Sequence, residues 1–299
     1  MNPPSHATAR AQRAALDQRI KTAAEQSGIT HDRLRKAVGF HRLVARFAAT
    51  GSHRWAIKGG AVLLWRLGYD VRATRDVDAN WLGSPDDLDG FLRAITAEDV
   101  SDWFRFEIGS STPLQGETLG ALRFPVTALL DGREFAAFRL DINFVEDLGP
   151  TELIDVVDPL GGSGVFEPVA VTVVSVASQL AEKLHAVNRV YRSGESSRAK
   201  DAYDTFMLAR SGQISCLESM RASVERTFSI RDTAIPRQPP PLPKAWDDEI
   251  EGLLAEQVAV DASLPAIREA WQVFWQPVLD RSAGSDLRWD AETMRWLER

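Results

Sequence analysis

Lys58-Gly59-Gly60-Ala61-Val62-Leu63-Leu64-Trp65, followed after a short connection by Thr74-Arg75-Asp76-Val77-Asp78-Ala79-Asn80-Trp81, decides how this chain is read. Two glycines stand at the mouth of an apolar helix. Asp76 and Asp78 then alternate with apolar residues along a strand. Residues two apart on a strand share a face, so both carboxylates point the same way. Carboxylates so placed repel each other unless a cation lies between them. Mg²⁺ suits the arrangement, because a few carboxylates hold it and substrate phosphates complete its shell. Gly59 and Gly60 let the backbone approach phosphates closely, and a helix N-terminus adds N–H donors and a positive dipole. Together these features point to nucleotidyl transfer from an NTP. Two solvated carboxylates and a tight strand-to-helix turn are the plain alternatives. An Asp-X-Asp pair is common alone and gains force here from the preceding glycines.

Working outward, residues 8–27 and 31–49 read as helices, with Thr30 as N-cap of the second. Trp55–Ile57 is a short buried strand, Asp76–Trp81 the next strand, and Pro85–Ala97 a helix. Phe104, Phe106 and Ile108 alternate, and the runs 121–130 and 134–144 flank Asp131-Gly132, a strong hairpin signal. Gly161-Gly162-Ser163-Gly164 reads as a loop and Val169–Val174 as one more strand. Helices follow: one carrying Val176, Leu180, Leu184, Val187 and Tyr191 on one face, then 198–210, 214–228, 245–258, 264–280 and a short one near 290–298. Pro236 to Pro243 reads as a stiff surface connection. The expected organisation is a helical N-terminal arm over residues 1–50, an α/β core over 51–174 and a helical C-terminal domain over 175–299.

Two further groups carry chemistry. Arg139, Asp141 and Asn143 share one face of the strand after the hairpin. If that strand pairs beside Asp76–Trp81, Asp141 joins Asp76 and Asp78 as a third metal carboxylate, and two Mg²⁺ ions can bridge the three. An edge-strand surface residue is the alternative for Asp141. The other group is Lys183, flanking the apolar stripe of its helix, with Arg198, Asp201 and Asp204. Lys183 emerges at the edge of a buried seam, suited to a triphosphate, or covers that seam with its stem. Asp201 and Asp204 share a helix face, and Arg198–Asp201 reads as a surface ion pair. Lys58, Thr74 and Arg75 complete the candidates for phosphate contact. His185 has no partner at metal-ligand spacing.

The 299 residues carry a net charge of −7, which argues weakly against a nucleic-acid partner. Residues 1–50, however, hold nine Lys/Arg against three Asp/Glu. That local excess reads either as a solvated helix surface or as a footprint for a phosphate backbone. The single Cys216 excludes an internal disulfide framework. No secretory signal or membrane-spanning run is visible, so the expected compartment is the cytoplasm.

Lys58-Gly59-Gly60 with Thr74–Asp78, then Ala181-Glu182-Lys183-Leu184, then Arg198-Ala199-Lys200-Asp201-Ala202-Tyr203-Asp204, resemble the AbiEii/AbiGii toxin family, and within it the MenT toxins. The resemblance covers residues 55–81, 139–144 and 176–208. It implies an α/β fold: a DNA-polymerase-β-like nucleotidyltransferase core with a mixed sheet and a helical C-terminal domain. It also implies Mg²⁺ or Mn²⁺ as cofactor, an NTP as substrate, the 3′ end of tRNA as acceptor with loss of aminoacylation and growth, and a cognate antitoxin. Carried over by residue, Asp76 and Asp78 hold metal, Lys183 grips the triphosphate and Asp204 is a catalytic-pocket carboxylate. Asp141 stands where a third metal carboxylate is expected. Lys58, Gly59, Gly60, Thr74, Arg75 and Arg198 line the nucleotide. Polymerase-β-type enzymes usually carry Gly-Ser where this chain has Gly59-Gly60, which shifts phosphate binding onto backbone N–H groups and Lys183. The alternatives are a small-molecule or protein acceptor, or a non-catalytic nucleotide-binding protein. A monomer is the default expectation.

Overall fold

The computed structural model describes residues 6–114, 120–161, 166–189, 198–214, 216–256, 262–282, 284 and 286–298. Tyr191, Gly162-Ser163-Gly164 and the end of the helix expected over 245–258 lie outside them. The chain divides into two units. The first comprises Met1–Trp65 and Ala73–Val174, the second Arg66–Arg72 and Ser175–Arg299.

The first unit opens with α1 (Ala9–Ser27) and α2 (His31–Ala49), capped by the hydroxyls of Thr8 and Thr30. Then come β1 (Trp55–Lys58), α3 (Gly59–Leu67, its last two residues in the second unit), β2 (Asp76–Leu82) and α4 (Pro85–Ala97). The remaining strands are β3 (Phe104–Ile108), β4 (Thr112–Leu114), β5 (Ala121–Leu130), β6 (Arg133–Val145), β7 (Thr151–Val156) and β8 (Val169–Val174). They form one mixed sheet in the order β3-β5-β6-β2-β1-β8-β7, with β4 also paired to β5. Strand β2 is central, antiparallel to β1 and parallel to β6. The hairpin β5–β6 turns at Asp131-Gly132, both with positive φ, as a two-residue turn of that composition requires.

Residues 1–50 group with the sheet, and α2 packs on β6 and β8. Every residue from Ala37 to Phe47 is buried. Gly39 permits the close approach: a Cβ there would stand 3.0 Å from Phe138 Cε1. A helix buried all round must partner its own charges. Arg42 donates through Nε to Asp102 at 2.6 Å, and Arg46 reaches both oxygens of Asp102 at 3.0 and 2.8 Å and the Phe104 carbonyl at 2.7 Å. The Arg42 and Arg46 guanidinium groups lie over Phe166 and Phe106. Removing one member of such a buried set leaves a bare charge and costs about 3–5 kcal/mol.

Arg13 donates to the carbonyls of Leu130, Arg133 and Glu134; Arg35 pairs with Asp17 and Lys36 with Asp32. With Arg42 and Arg46 buried, five of the nine cations are engaged inside the first unit. Of the nine, Arg42 and Arg46 are buried, while the pairs Arg35–Asp17 and Lys36–Asp32 lie within the segment and leave its net positive excess unchanged.

The second unit contains α5 (Val176–Asn188), α6 (Ala199–Arg210), α7 (Leu217–Ile230), α8 (Asp247–Ala255), α9 (Leu264–Leu279) and the hairpin β9 (Arg288–Asp290) and β10 (Arg295–Leu297). The expected helix near 290–298 is thus a hairpin. Trp289 and Trp296 face each other in register and both pack on Phe274, while the Asp290 carboxylate accepts from the Thr293 backbone N–H and hydroxyl to fold the turn. Aromatic pairing across the turn outweighs the helical pattern of the short segment. The proline-rich stretch is pinned along α9. Trp271 and Arg268 on α9 donate to the carbonyls of Pro240 and of Leu242 and Pro243, and Leu242 is buried.

His41 gives this packing a pH signature. Its Nε2 lies 3.1 Å from the Val156 carbonyl, which makes it the donor, and Nδ1 faces Arg42 Nη1 at 3.2 Å as acceptor. Burial, together with the Arg42 charge, pushes its pKa down from 6.5 to about 4. The unfolded chain therefore takes up this proton first, and stability falls as pH drops from about 6.5 to about 4. One such histidine contributes about 1.4 kcal/mol per pH unit. His185, lowered to about 4 by burial and then by Arg231, adds the same sign in the second unit. Urea unfolding between pH 4.5 and 6 is expected to show a shallower slope for His41→Gln, by one proton. An unchanged slope would remove this assignment.

Candidate active site

The register of the central strands sets the site. Lys58 on β1 pairs with Asp78 on β2, Asp78 with Asp141 on β6, and Asp141 with Arg123 on β5. Paired residues on adjacent strands share a face, so these four side chains form one row across four strands, with signs plus, minus, minus, plus. Two residues along β2, Asp76 pairs with Arg139. The expectation that the post-hairpin strand lies beside β2 holds, and it places Asp141 level with Asp78.

Adjacent like charges need compensation, and the two flanking arginines supply it differently. Arg123 forks onto both oxygens of Asp141, Nε to Oδ1 at 2.8 Å and Nη2 to Oδ2 at 2.6 Å. The Asp141 hydrogen bonds hold the Arg123 pKa above its ordinary value, with burial opposing and Asp76 and Asp78 adding to the rise. Arg139 reaches Asp76 at one oxygen: Nε and Nη2 both lie 2.8 Å from Oδ1. Asp141 is buried, whereas Asp76 and Asp78 are half-buried.

Gly59 governs the approach of the chain to this row. It leaves β1 with φ +72°, a left-handed conformation, and begins α3. A Cβ at Gly59 would collide with Asp78 Oδ2 and stand 2.9 Å from its Cγ. The glycine therefore lets the backbone fold directly over the Asp78 carboxylate. Gly60 is buried in the first turn of α3. Thr74 Oγ1 donates to the Asp76 carbonyl at 3.1 Å, a local brace at the start of β2, and Arg75 is exposed.

In the second unit, Lys183, Asp201 and Asp204 come together as buried side chains. The Lys183 ammonium donates to Asp204 Oδ2 at 2.6 Å and to Asp201 Oδ1 at 3.1 Å. Arg72 forks onto both oxygens of Asp204 at 2.9 Å. Burial alone would lower the Lys183 pKa, but Asp204 and Asp201 prevail and hold it above its usual value. Burial alone would raise the Asp204 pKa, but Lys183 and Arg72 hold it below the usual carboxylate range. Lys183 is thus anchored by carboxylates rather than standing at the rim of the seam. Arg198 caps α6, with Nη1 3.5 Å from Asp201.

Asp76 and Asp78, half-buried on one face beneath the Gly59 turn, fit an ion that takes its remaining ligands from water and phosphate. Among the described residues no group of three or more His, Cys, Asp or Glu could hold a metal ion. Sequence reasoning missed Arg123 and Arg72. The first stands in a strand of ordinary alternation, and only the β5–β6 register shows that it faces Asp141. The second lies four residues before Asp76, outside the quoted motif.

A family model described as nucleotidyl transferase AbiEii toxin, type IV TA system, matches residues 42–294. The chain belongs to the AbiEii nucleotidyltransferase toxin family. Among solved structures, MenT4, a nucleotidyltransferase toxin from Mycobacterium tuberculosis H37Rv, is 18% identical with a TM-score of 0.51, covering 88% of this chain and 94% of its own. At that identity the likeness establishes a shared fold. JHP933 from Helicobacter pylori is 15% identical with a TM-score of 0.40, covering 82% and 92%. No curated protein matches the chain. The family and the fold make this AbiEii protein a toxin–antitoxin nucleotidyltransferase, and a toxin of this family implies an antitoxin partner. No described helix is long and apolar enough to cross a membrane.

Two glycine variants separate backbone strain from displacement of Asp78. Gly59→Ala and Gly68→Ala both place a side chain at φ near +70°, and each is expected to lose about 1–2 kcal/mol for that reason. Only Gly59→Ala meets Asp78; nothing lies within 4 Å of a Cβ at Gly68. Nucleotidyl transfer by Gly59→Ala should fall about a hundredfold, with Gly68→Ala retaining wild-type rates after correction for folded fraction. Equal activities of the two variants would contradict the placement of Asp78.

Proposed function

We propose that this AbiEii protein transfers an NMP group from an NTP to the 3′ end of tRNA and thereby blocks aminoacylation and growth. The acceptor hydroxyl attacks the α-phosphorus, a new P–O bond forms, and the bond to pyrophosphate breaks. The observation that carries the reading is the placement of Asp76 and Asp78 on one face of β2 under the Gly59 turn. Those two residues, with Asp141 level with Asp78 on the neighbouring strand, would hold Mg²⁺ or Mn²⁺. When bound, the ion supplies a lowered pKa for the attacking hydroxyl and charge stabilisation at the phosphates. Gly59 keeps the backbone close to the carboxylates, and the α3 N-terminus offers N–H donors to phosphate oxygens. Lys183 is the cation assigned to the phosphate chain, with Asp204, and Arg72 behind it, fixing the ammonium. Lys58, Thr74, Arg75 and Arg198 are the further nucleotide contacts proposed. The tRNA acceptor is proposed from the motif resemblance to MenT toxins, and restraint by a cognate antitoxin from the family.

A second reading keeps the transfer and changes the acceptor to a small molecule or a protein. It draws on the burial of Arg42 and Arg46, which takes two of the nine basic residues of α1 and α2 off the surface. Incubation with total tRNA, Mg²⁺ and each α-labelled NTP in turn distinguishes the two. Label entering tRNA with wild type and not with Asp76→Ala is the expected result, together with loss of growth inhibition in that variant. Label in protein or small-molecule fractions only would establish the second reading. No label anywhere from folded protein would overturn both.

A further inference from the structure

Two residues beyond Asp78, the face that carries the carboxylates continues into a pair of amides. Asn80 shares the face of Asp76 and Asp78 on β2. It pairs with Ala56 on β1 and with Asn143 on β6, and Asn143 pairs with Ala121 on β5. The row next to the charged one therefore reads Ala56–Asn80–Asn143–Ala121. Asn80 is 5% exposed and Asn143 9%, so both amides are withdrawn from bulk water. Asn80 Oδ1 has no hydrogen-bond partner. An unpaired buried acceptor is costly, and folded proteins rarely keep one without a ligand or a water to fill it. Asparagine is also depleted in strands, and a leucine of similar shape would be buried here without that cost. The flanking residues are alanines, each with a single methyl beside the amides.

The level of this row fits one part of a nucleotide. A strand rises ~3.3 Å per residue, so Asn80 follows Asp78 by ~6.6 Å along β2. Asp76 and Asp78 are assigned to the ion and through it to phosphate. The ribose hangs from the α-phosphate by the short O5′–C5′ link, and its hydroxyls lie farther from the phosphate than that link. A hydroxyl donates and accepts, as a carboxamide does, and an uncharged amide offers a phosphate far less than a cation would. Two adjacent amides match two adjacent hydroxyls. Rotation about χ2 exchanges the Oδ1 and Nδ2 ends, so each asparagine can present the group that a hydroxyl needs.

We infer that Asn80 and Asn143 form a subsite for the ribose 2′- and 3′-hydroxyls of the incoming NTP and make the protein selective for ribonucleotides. The inference rests on the nucleotide reading above and deepens it by naming the sugar the site takes. A deoxyribonucleotide leaves an amide group buried and unpaired, which is how a hydrogen-bonding site rejects an analogue that lacks the group.

Isothermal titration calorimetry of the full chain in Mg²⁺ reads this without any acceptor. The probes are ATP, CTP, GTP and UTP, each beside its 2′-deoxy counterpart (dTTP for UTP). For the NTP that binds tightest, wild type is expected to prefer the ribonucleotide by at least about tenfold. Asn80→Leu and Asn143→Leu should each cut that preference below about threefold by weakening the ribonucleotide, with the deoxyribonucleotide held within about threefold of wild type. A merely structural role for the amides would leave the ratio between the two sugars unmoved. Asn143→Leu carries the test should Asn80→Leu fail to fold by circular dichroism. Equal affinity of wild type for the two sugars, or an unchanged preference in a folded variant, would overturn the inference and leave the nucleotide reading standing. Folded wild type that binds none of the four NTPs would remove the nucleotide reading and the inference with it.

Discussion

The register of β2 between β1 and β6 is the constraint on which the candidate centre depends. A strand shifted by one residue turns every side chain to the opposite face. With the observed pairing, Val77 and Ala79 enter the core while Asp76 and Asp78 stand together on the other face. The same pairing brings Lys58, Asp141 and Arg123 into the row with Asp78. Buried Val77, Ala79, Leu140 and Ile142 hold the register through apolar burial, so the charged face is positioned by residues that take no part in its chemistry.

Charge compensation shapes both units. In the first, Asp102 is held between Arg42 and Arg46, and Asp141 by Arg123. In the second, Asp204 is held by Lys183 and Arg72. Each is a buried carboxylate whose desolvation is offset by two-point or two-partner pairing, and each loses that balance if one partner is removed. Where the pairing leaves carboxylate surface half-exposed, at Asp76 and Asp78, the protein retains acidic groups for a ligand.

Much of this was legible in the sequence, for identifiable reasons. Alternation marked β2, the β-branched run Val169–Val174 marked β8, and Asp131-Gly132 marked the β5–β6 turn. The motif residues around Gly59 and Asp76 depend on local spacing, which a sequence displays openly. The partners that neutralise them do not. Arg123 is 18 residues from Asp141 and Arg72 is 132 from Asp204, and nothing local ties either to its carboxylate. The basic content of α1 and α2 could not be divided between surface and core for the same reason. A charge count cannot distinguish Arg46, buried on Asp102, from a cation facing solvent. The terminal hairpin was missed because two tryptophans seven residues apart fit a helix face and a short hairpin equally well.

The central claim is that Asp76 and Asp78 form the catalytic metal centre of this AbiEii protein. Anomalous diffraction from crystals soaked with Mn²⁺ and a non-hydrolysable NTP tests it most directly. The account predicts an anomalous peak in contact with carboxylate oxygens of Asp76 and Asp78. A peak bound elsewhere, with no density at Asp76 and Asp78, would contradict it.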